Sequence, residues 1–205
     1  MKIDLILLSG TPASGKDTIT SEMIKIDNKF THFKKHKIAT GGKMDDTYFL
    51  VPKDTFDEMA ENNKFVQYHY RYDRGYGVSY EELVNNKNMG KIPIIHVGKY
   101  ENIAKFREYG LKNILSILIY TNRDTTLNRL QTRHKDNADE IQNRINAYDE
   151  EIKQLCSVYN SNTKIDFDLV IKNNEDDISG VTKEILEKIS YFENEIDTVD
   201  GVLNC

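Results

Sequence analysis

Residues 10–18 read Gly10-Thr11-Pro12-Ala13-Ser14-Gly15-Lys16-Asp17-Thr18 and fit the pattern G-x-x-x-x-G-K. Glycines let the backbone curl until consecutive N–H groups point at one anion. A helix that begins at the last glycine adds the positive end of its dipole. Lys16 then reaches the outer phosphates of a bound nucleotide. The flanks pass the context test. Ile3 to Leu8 is a short apolar run, as expected of a strand buried on both faces. Gly15 to Asp27 has helical spacing, with Ile19, Met23 and Ile26 on one side. The alternative is an ordinary glycine turn beside a surface lysine, which needs neither flank. Asp17 stands where Ser or Thr usually ligates Mg²⁺. Two readings of it stay open: a hard-cation ligand assisted by Thr18, or a first-turn acid favoured by the helix dipole.

Outward from this loop, apolar runs alternate with helical spacing. Tyr48 to Val51 reads as a strand, residues 52–61 as a helix opening on Pro52, and Phe65 to Arg71 as another strand. Ser79 to Lys87 is expected to be a helix, with Ser79 as N-cap and Glu82 closing the box. Strands are expected over 92–97, 113–120 and 167–172. Helices are expected over 100–108, over 123–159 with a break near Asp136-Asn137, and over 178–189. The tail from Tyr191 is acidic, without a clear period. This alternation predicts an α/β three-layer domain with a central parallel sheet. The expected division is a core of 1–33, 91–122 and 160–190, an insert of 34–90, a lid region of 123–159 and an acidic tail of 191–205.

Bulk composition narrows the function classes. The 205 residues suit a single domain, and 39% hydrophobic residues allow a real core. A net charge of −5 gives no general attraction to nucleic acid or anionic membrane, so any anion site must be local. Two cysteines make no disulfide framework, and no run approaches the roughly 18 apolar residues of a membrane helix. A cytoplasmic protein with no polymeric nucleic acid or membrane partner is expected.

The order of motifs resembles the guanylate kinase family over about residues 3–190. The residues that carry the resemblance are Tyr48-Phe49-Leu50-Val51, Phe65-Val66-Gln67-Tyr68, Tyr76-Gly77-Val78-Ser79, Arg129-Leu130-Gln131-Thr132-Arg133, Arg144 and Val170-Ile171-Lys172-Asn173. Each motif is weak alone; their order behind a phosphate loop is specific. The resemblance implies a P-loop NTPase-like core that binds ATP and Mg²⁺, an acceptor-binding insert and a helical lid, in a monomer or homodimer. It implies a nucleoside monophosphate kinase with a GMP- or dGMP-type acceptor. By the same resemblance, Lys16, Arg129, Arg133 and Arg144 offset charge in transfer. Gly10, Thr11, Pro12, Ala13, Ser14, Gly15, Lys16, Asp17, Thr18 and Asn173 hold ATP. Lys37, Tyr48, Gln67, Arg74, Tyr76 and Ser79 hold the acceptor, and Asp17 and Thr18 face the metal. The alternative for the arginines is surface pairing with Asp136, Asp139, Glu140 and Asp149.

The acceptor side departs from the family pattern. Gln67 replaces the family's guanine-reading acid, so one acceptor and one donor group stand where a carboxylate would accept twice. The strand end Ile94-Ile95-His96-Val97-Gly98 carries no carboxylate. The family's Thr-Thr-Arg-x-x-Arg grip is Lys34-Lys35-His36-Lys37-Ile38-Ala39, without a guanidinium fork. Arg71 and Arg74, among Tyr68, Tyr70, Tyr72 and Tyr76, are candidates to replace it, against an exposed hairpin with ordinary aromatic packing. Two alternatives to the nucleotide kinase remain: a P-loop kinase for another small phosphate, and a non-catalytic binding module.

Overall fold

β1 (Leu5–Gly10) is buried at every position. It lies at the centre of a five-stranded sheet ordered β2-β7-β1-β8-β9. The others are β2 (Phe30–His32), β7 (Ile92–His96), β8 (Ile114–Tyr120) and β9 (Leu169–Lys172). Every pairing in it is parallel. The computed structural model describes residues 3–39, 47–71, 74–98, 100–108, 111, 113–135, 137–160, 167–175 and 177–202.

Alternate residues of β1 serve opposite faces, as strand geometry requires. Ile6 and Leu8 join Ile94, Ile117 and Ile119 against Ile19 and Met23 of α1 (Lys16–Ile26) and Ile185 and Ile189 of α7 (Ile178–Val202). Leu5 and Leu7 pack with Ile95 and Val97 against Ile103 and Phe106 of α4 (Glu101–Glu108). The apolar runs are therefore nearly continuous because both faces are covered. Further along this second face, Leu118 packs on Tyr100 and on Leu155 of α6 (Ala138–Asn160).

A second sheet has the order β4-β3-β6-β5, formed by β3 (Lys35–Ile38), β4 (Tyr48–Val51), β5 (Phe65–Arg71) and β6 (Arg74–Ser79). Its Ile38 and Phe65 pack with Phe56 of α2 (Lys53–Glu61) on one side. On the other side, Val66 and Val78 join the core cluster with Leu83 of α3 (Tyr80–Asn88). A register shift between Phe65 and Gln67 puts these two on opposite faces, although residues two apart in a strand ordinarily share one.

The segment 30–38, for which the sequence predicts no strand, forms β2 and β3 in two different sheets. β6, not predicted either, pairs throughout with β5. Glycine is required there. A Cβ on Gly77 would come within 2.5 Å of the Phe65 ring, and one on Gly75 within 2.6 Å of Phe56. The expected break between helices separates α5 (Arg123–Arg133) from α6; Asp136 itself lies outside the described residues. The C-terminal end corrects the sequence reading. α7 continues to Val202 instead of stopping near 189. Phe192 packs on the same cluster as Ile185 and Ile189, and Glu193 pairs with Lys29 at 3.5 Å. The apolar stripe of α7 thus extends about one turn past Ile189.

Candidate active site

The turn after β1 has the curled geometry expected of a phosphate cradle. Gly15 caps α1 in the left-handed region at φ 94°, and Ala13 is also left-handed at φ 54°. A Cβ on Gly10 would meet the Ile119 carbonyl oxygen at 2.0 Å, so only glycine lets the loop leave the sheet here. Thr11 is buried, and its Oγ1 lies 3.4 Å from that of Thr121, beyond the end of β8. Asn173 follows β9 and donates from Nδ2 to the Ser14 carbonyl at 2.8 Å. Asn173 therefore braces the loop from the neighbouring strand. Its Oδ1 has no hydrogen-bond partner among the described residues, although the residue is 1% exposed.

Lys16 Nζ donates to Gly10 O at 2.5 Å and Thr11 O at 2.9 Å, and lies 3.3 Å from Ser14 Oγ. Its ammonium thus folds back over the loop it follows. Burial lowers its pKa, against the opposing pull of Glu151 and Asp17.

Asp17 lies on the exposed first turn of α1, its side chain 88% exposed. His96 Nδ1 at the end of β7 stands 3.3 Å from Asp17 Oδ1, and His96 Nε2 is 2.8 Å from Thr20 Oγ1. The imidazole tautomer that donates to Asp17 accepts from Thr20 on the same helix face, one turn on. The hydrogen bond from His96 is the main reason the Asp17 carboxyl titrates below its ordinary value. Asp17 is therefore a fixed anion with a lone pair open to solvent. Thr18 is exposed, and the hydroxyl that joins this contact comes from Thr20 instead.

Arg129, Arg133 and Arg144 of α5 and α6 are in different situations. Arg129 reaches the loop, donating from Nη1 to Ala13 O at 3.1 Å and from Nη2 to Glu175 O at 3.2 Å. Arg133 is exposed in the last turn of α5. Arg144 pairs with Glu140 at 2.7 Å, one turn away on α6, the surface pairing weighed from sequence. Arg123 and Asp149 make a second such pair at 3.0 Å.

On the second sheet, strand periodicity and register put Lys35, Lys37, Tyr48, Gln67, His69 and Tyr76 on one face. Tyr48 and Tyr76 meet edge to face at 5.8 Å. Lys37 Nζ sits 4.4 Å over the Tyr48 ring and 5.7 Å from the Tyr76 ring. Gln67 is 6% exposed, and its Nε2 lies 3.2 Å from His69 Nδ1. The His69 ring in turn stacks on Tyr76 at 5.4 Å. Ser79 is buried and caps α3 by accepting from Glu82 N at 3.4 Å. Arg74 is exposed at the hairpin end, opposite Arg71 in register. The Gly41-Gly42 pair, Tyr72 and Asp73 lie outside the described residues. His69 and Thr20 are not among the residues expected from sequence; the two-residue period of β5 from Gln67 leads to His69.

The family model for guanylate kinase matches residues 2–189. A guanylate kinase from Wigglesworthia glossinidia brevipalpis is 27% identical over 156 residues, 76% of this chain and 72% of the relative. One from Clostridioides difficile (strain 630) is 24% identical over 202 residues, 97% of this chain and 93% of the relative. The crystal structure of guanylate kinase from Anaplasma phagocytophilum superposes with a TM-score of 0.61 at 17% identity, covering 93% of this chain and 87% of that one. That match reports the fold, a P-loop α/β core with a second small sheet. With the family model spanning nearly the whole chain and the phosphate loop formed in place, the chain belongs to the guanylate kinase family.

Proposed function

We propose that this protein transfers the γ-phosphoryl group of ATP to a nucleoside monophosphate, with GMP or dGMP as the acceptor. The observation that carries the reading is the closed loop of residues 10–16, with Lys16 turned over it. Family membership and the named relatives supply the acceptor class.

Phosphoryl transfer needs in-line positioning and neutralisation of charge more than covalent help. The loop amides and Lys16 bind the triphosphate. Arg129, already against Ala13, fixes the lid's first helix beside the phosphates. Arg133 and Arg144 add positive charge from the lid, with Arg144 exchanging Glu140 for phosphate. Asn173 acts through the loop by holding Ser14, with its free Oδ1 left to receive a donor from the nucleotide. Lys37, Tyr48 and Tyr76 hold the acceptor, while Gln67 with His69 faces its base. Ser79 and Arg74 border this face at its two ends.

The residues fit Mg²⁺. Among the described residues no group of three His, Cys, Asp or Glu side chains forms a metal cage. Mg²⁺ is ordinarily held by one or two carboxylates together with substrate phosphates and water. Asp17, anionic and open to solvent, supplies such a carboxylate, and Thr18 offers a hydroxyl from the adjoining face of the helix. The ion, when bound there, would offset the negative charge of the phosphates during transfer. No described helix is long and apolar enough to cross a membrane, and a cytoplasmic monomer or homodimer belongs to the same reading.

The test is an ADP-release assay with ATP and each ribo- and deoxynucleoside monophosphate in turn. GMP or dGMP should stimulate release most. Lys16→Ala should lower the rate at least about a hundredfold, the scale of losing one preorganised donor to developing charge. Release that no monophosphate stimulates would refute the reading.

A further inference from the structure

Gln67 and His69 stand two positions apart on β5, on the face that also carries Tyr48 and Tyr76. Their side chains meet, with Gln67 Nε2 3.2 Å from His69 Nδ1. An amide nitrogen only donates, so Nδ1 accepts and the imidazole proton sits on Nε2. The ring is held in that orientation from its other side. His69 is the register partner of Tyr76 on β6, and the two rings stack with centroids 5.4 Å apart and planes 18° from parallel. Tyr76 in turn meets Tyr48 edge to face at 5.8 Å.

The consequence falls on the other end of the amide. With Nε2 committed to His69, Oε1 is the atom left, and it accepts from no described residue although Gln67 is 6% exposed. A nearly dry carbonyl oxygen without a donor is unfavourable, and a ligand N–H relieves that cost. A carboxylate at this place would present two acceptors, and a freely turning amide either an acceptor or a donor. This amide presents one acceptor. Guanine carries N–H donors at N1 and N2 on its base-pairing edge, whereas adenine presents a bare ring nitrogen at N1, whose lone pair repels that of a carbonyl. We propose that His69 is a positioning residue for base selection: by holding the Gln67 amide in one orientation, it makes the site take guanine and refuse adenine. The proposal rests on the kinase reading and adds to it a residue that acts on the base through Gln67.

The test compares kcat/KM for GMP and for AMP in the full chain, as wild type, His69→Phe and His69→Asn, with KM for ATP measured in each. His69→Phe keeps an aromatic ring against Tyr76 but offers no acceptor, so the amide is free to turn its donors to the base. The GMP-to-AMP ratio should fall roughly tenfold, the worth of one hydrogen bond of ordinary net strength. The change should lie in KM, weaker for GMP and stronger for AMP, with kcat for GMP little altered. His69→Asn, whose Oδ1 takes the place of Nδ1, should recover most of the ratio. KM for ATP should stay the same throughout, which also shows the variants to be folded. In a Gln67→Leu background, His69→Phe should leave the ratio where Gln67→Leu alone puts it. A ratio in His69→Phe equal to that of wild type overturns the proposal. So does a further drop in the Gln67→Leu background, a ratio in His69→Asn as low as in His69→Phe, or a wild type that prefers AMP. Wild type stimulated by no monophosphate would instead refute the kinase reading itself.

Discussion

His96 Nδ1 lies 3.3 Å from Asp17 Oδ1, so one imidazole ties the end of a core strand to the first turn behind the phosphate loop. Two departures from the family pattern are thereby a single structural unit. A carboxylate has appeared on the helix, and the strand end that lacks one carries the side chain that orients it.

If Asp17 is the metal-side carboxylate, Asp17→Ala should raise the Mg²⁺ concentration for half-maximal rate roughly tenfold. Mn²⁺ binding to the ATP complex, followed by electron paramagnetic resonance, should weaken in parallel. His96→Ala should give a smaller shift in the same direction. An unchanged Mg²⁺ requirement in Asp17→Ala would assign the residue to the helix dipole alone.

Gly15→Ala should destabilise the protein by about 1–3 kcal/mol, because a side chain is strained at φ 94°. Its Cβ would also come within 2.8 Å of Asn173 Nδ2 and displace the bond to Ser14. Asn173→Ala removes the same bond, at about 1–3 kcal/mol. The double variant should lose less than the sum, since both act on one contact. Thermal denaturation of the four proteins checks this.

The pH response of Lys35 has a definite sign. Its folded-state pKa is about 8 against 10.5 unfolded, so the unfolded chain holds the proton to higher pH. The unfavourable contribution of the charged group is therefore present in full below about pH 8 and relieved as pH rises from there toward 10.5. Lys35→Met should be at least as stable as wild type at pH 7, with the difference shrinking above pH 8. The nearby His32, with its lowered pKa, is neutral over this window, and His96 and Asp17 are retained in both proteins.

Gln67→Glu should lower KM for GMP roughly twofold to tenfold at pH 8, by offering a second acceptor to the base. KM for ATP should stay put. A rise in KM for GMP would place the amide, paired with His69, as the better fit.

The phosphate loop, the buried parallel strands and most helices were legible locally. Their signals are periodicities and glycine positions that act over ten residues or so. β3 and β6 were not, because they gain their conformation from each other: Lys37 pairs with Tyr76 and His36 with Gly77, forty residues away. The same limit applied to side chains. Arg133 and Arg144 look alike in sequence and both are exposed, yet it is Arg144 that bonds to Glu140, one turn away on its own helix.

From its order of residues alone, the chain determined that a strand, a glycine loop and a helix would build an anion cradle around Lys16. Backbone sterics and helix dipoles are local properties, so no distant contact was needed to specify it. Which charges face that cradle was decided only by tertiary structure. Lys35 reaches the His96 carbonyl from the second sheet, and Asp17 meets the His96 ring from α1. Electrostatic partnership depends on distance in space and on burial, and neither is written in the spacing of residues along a chain.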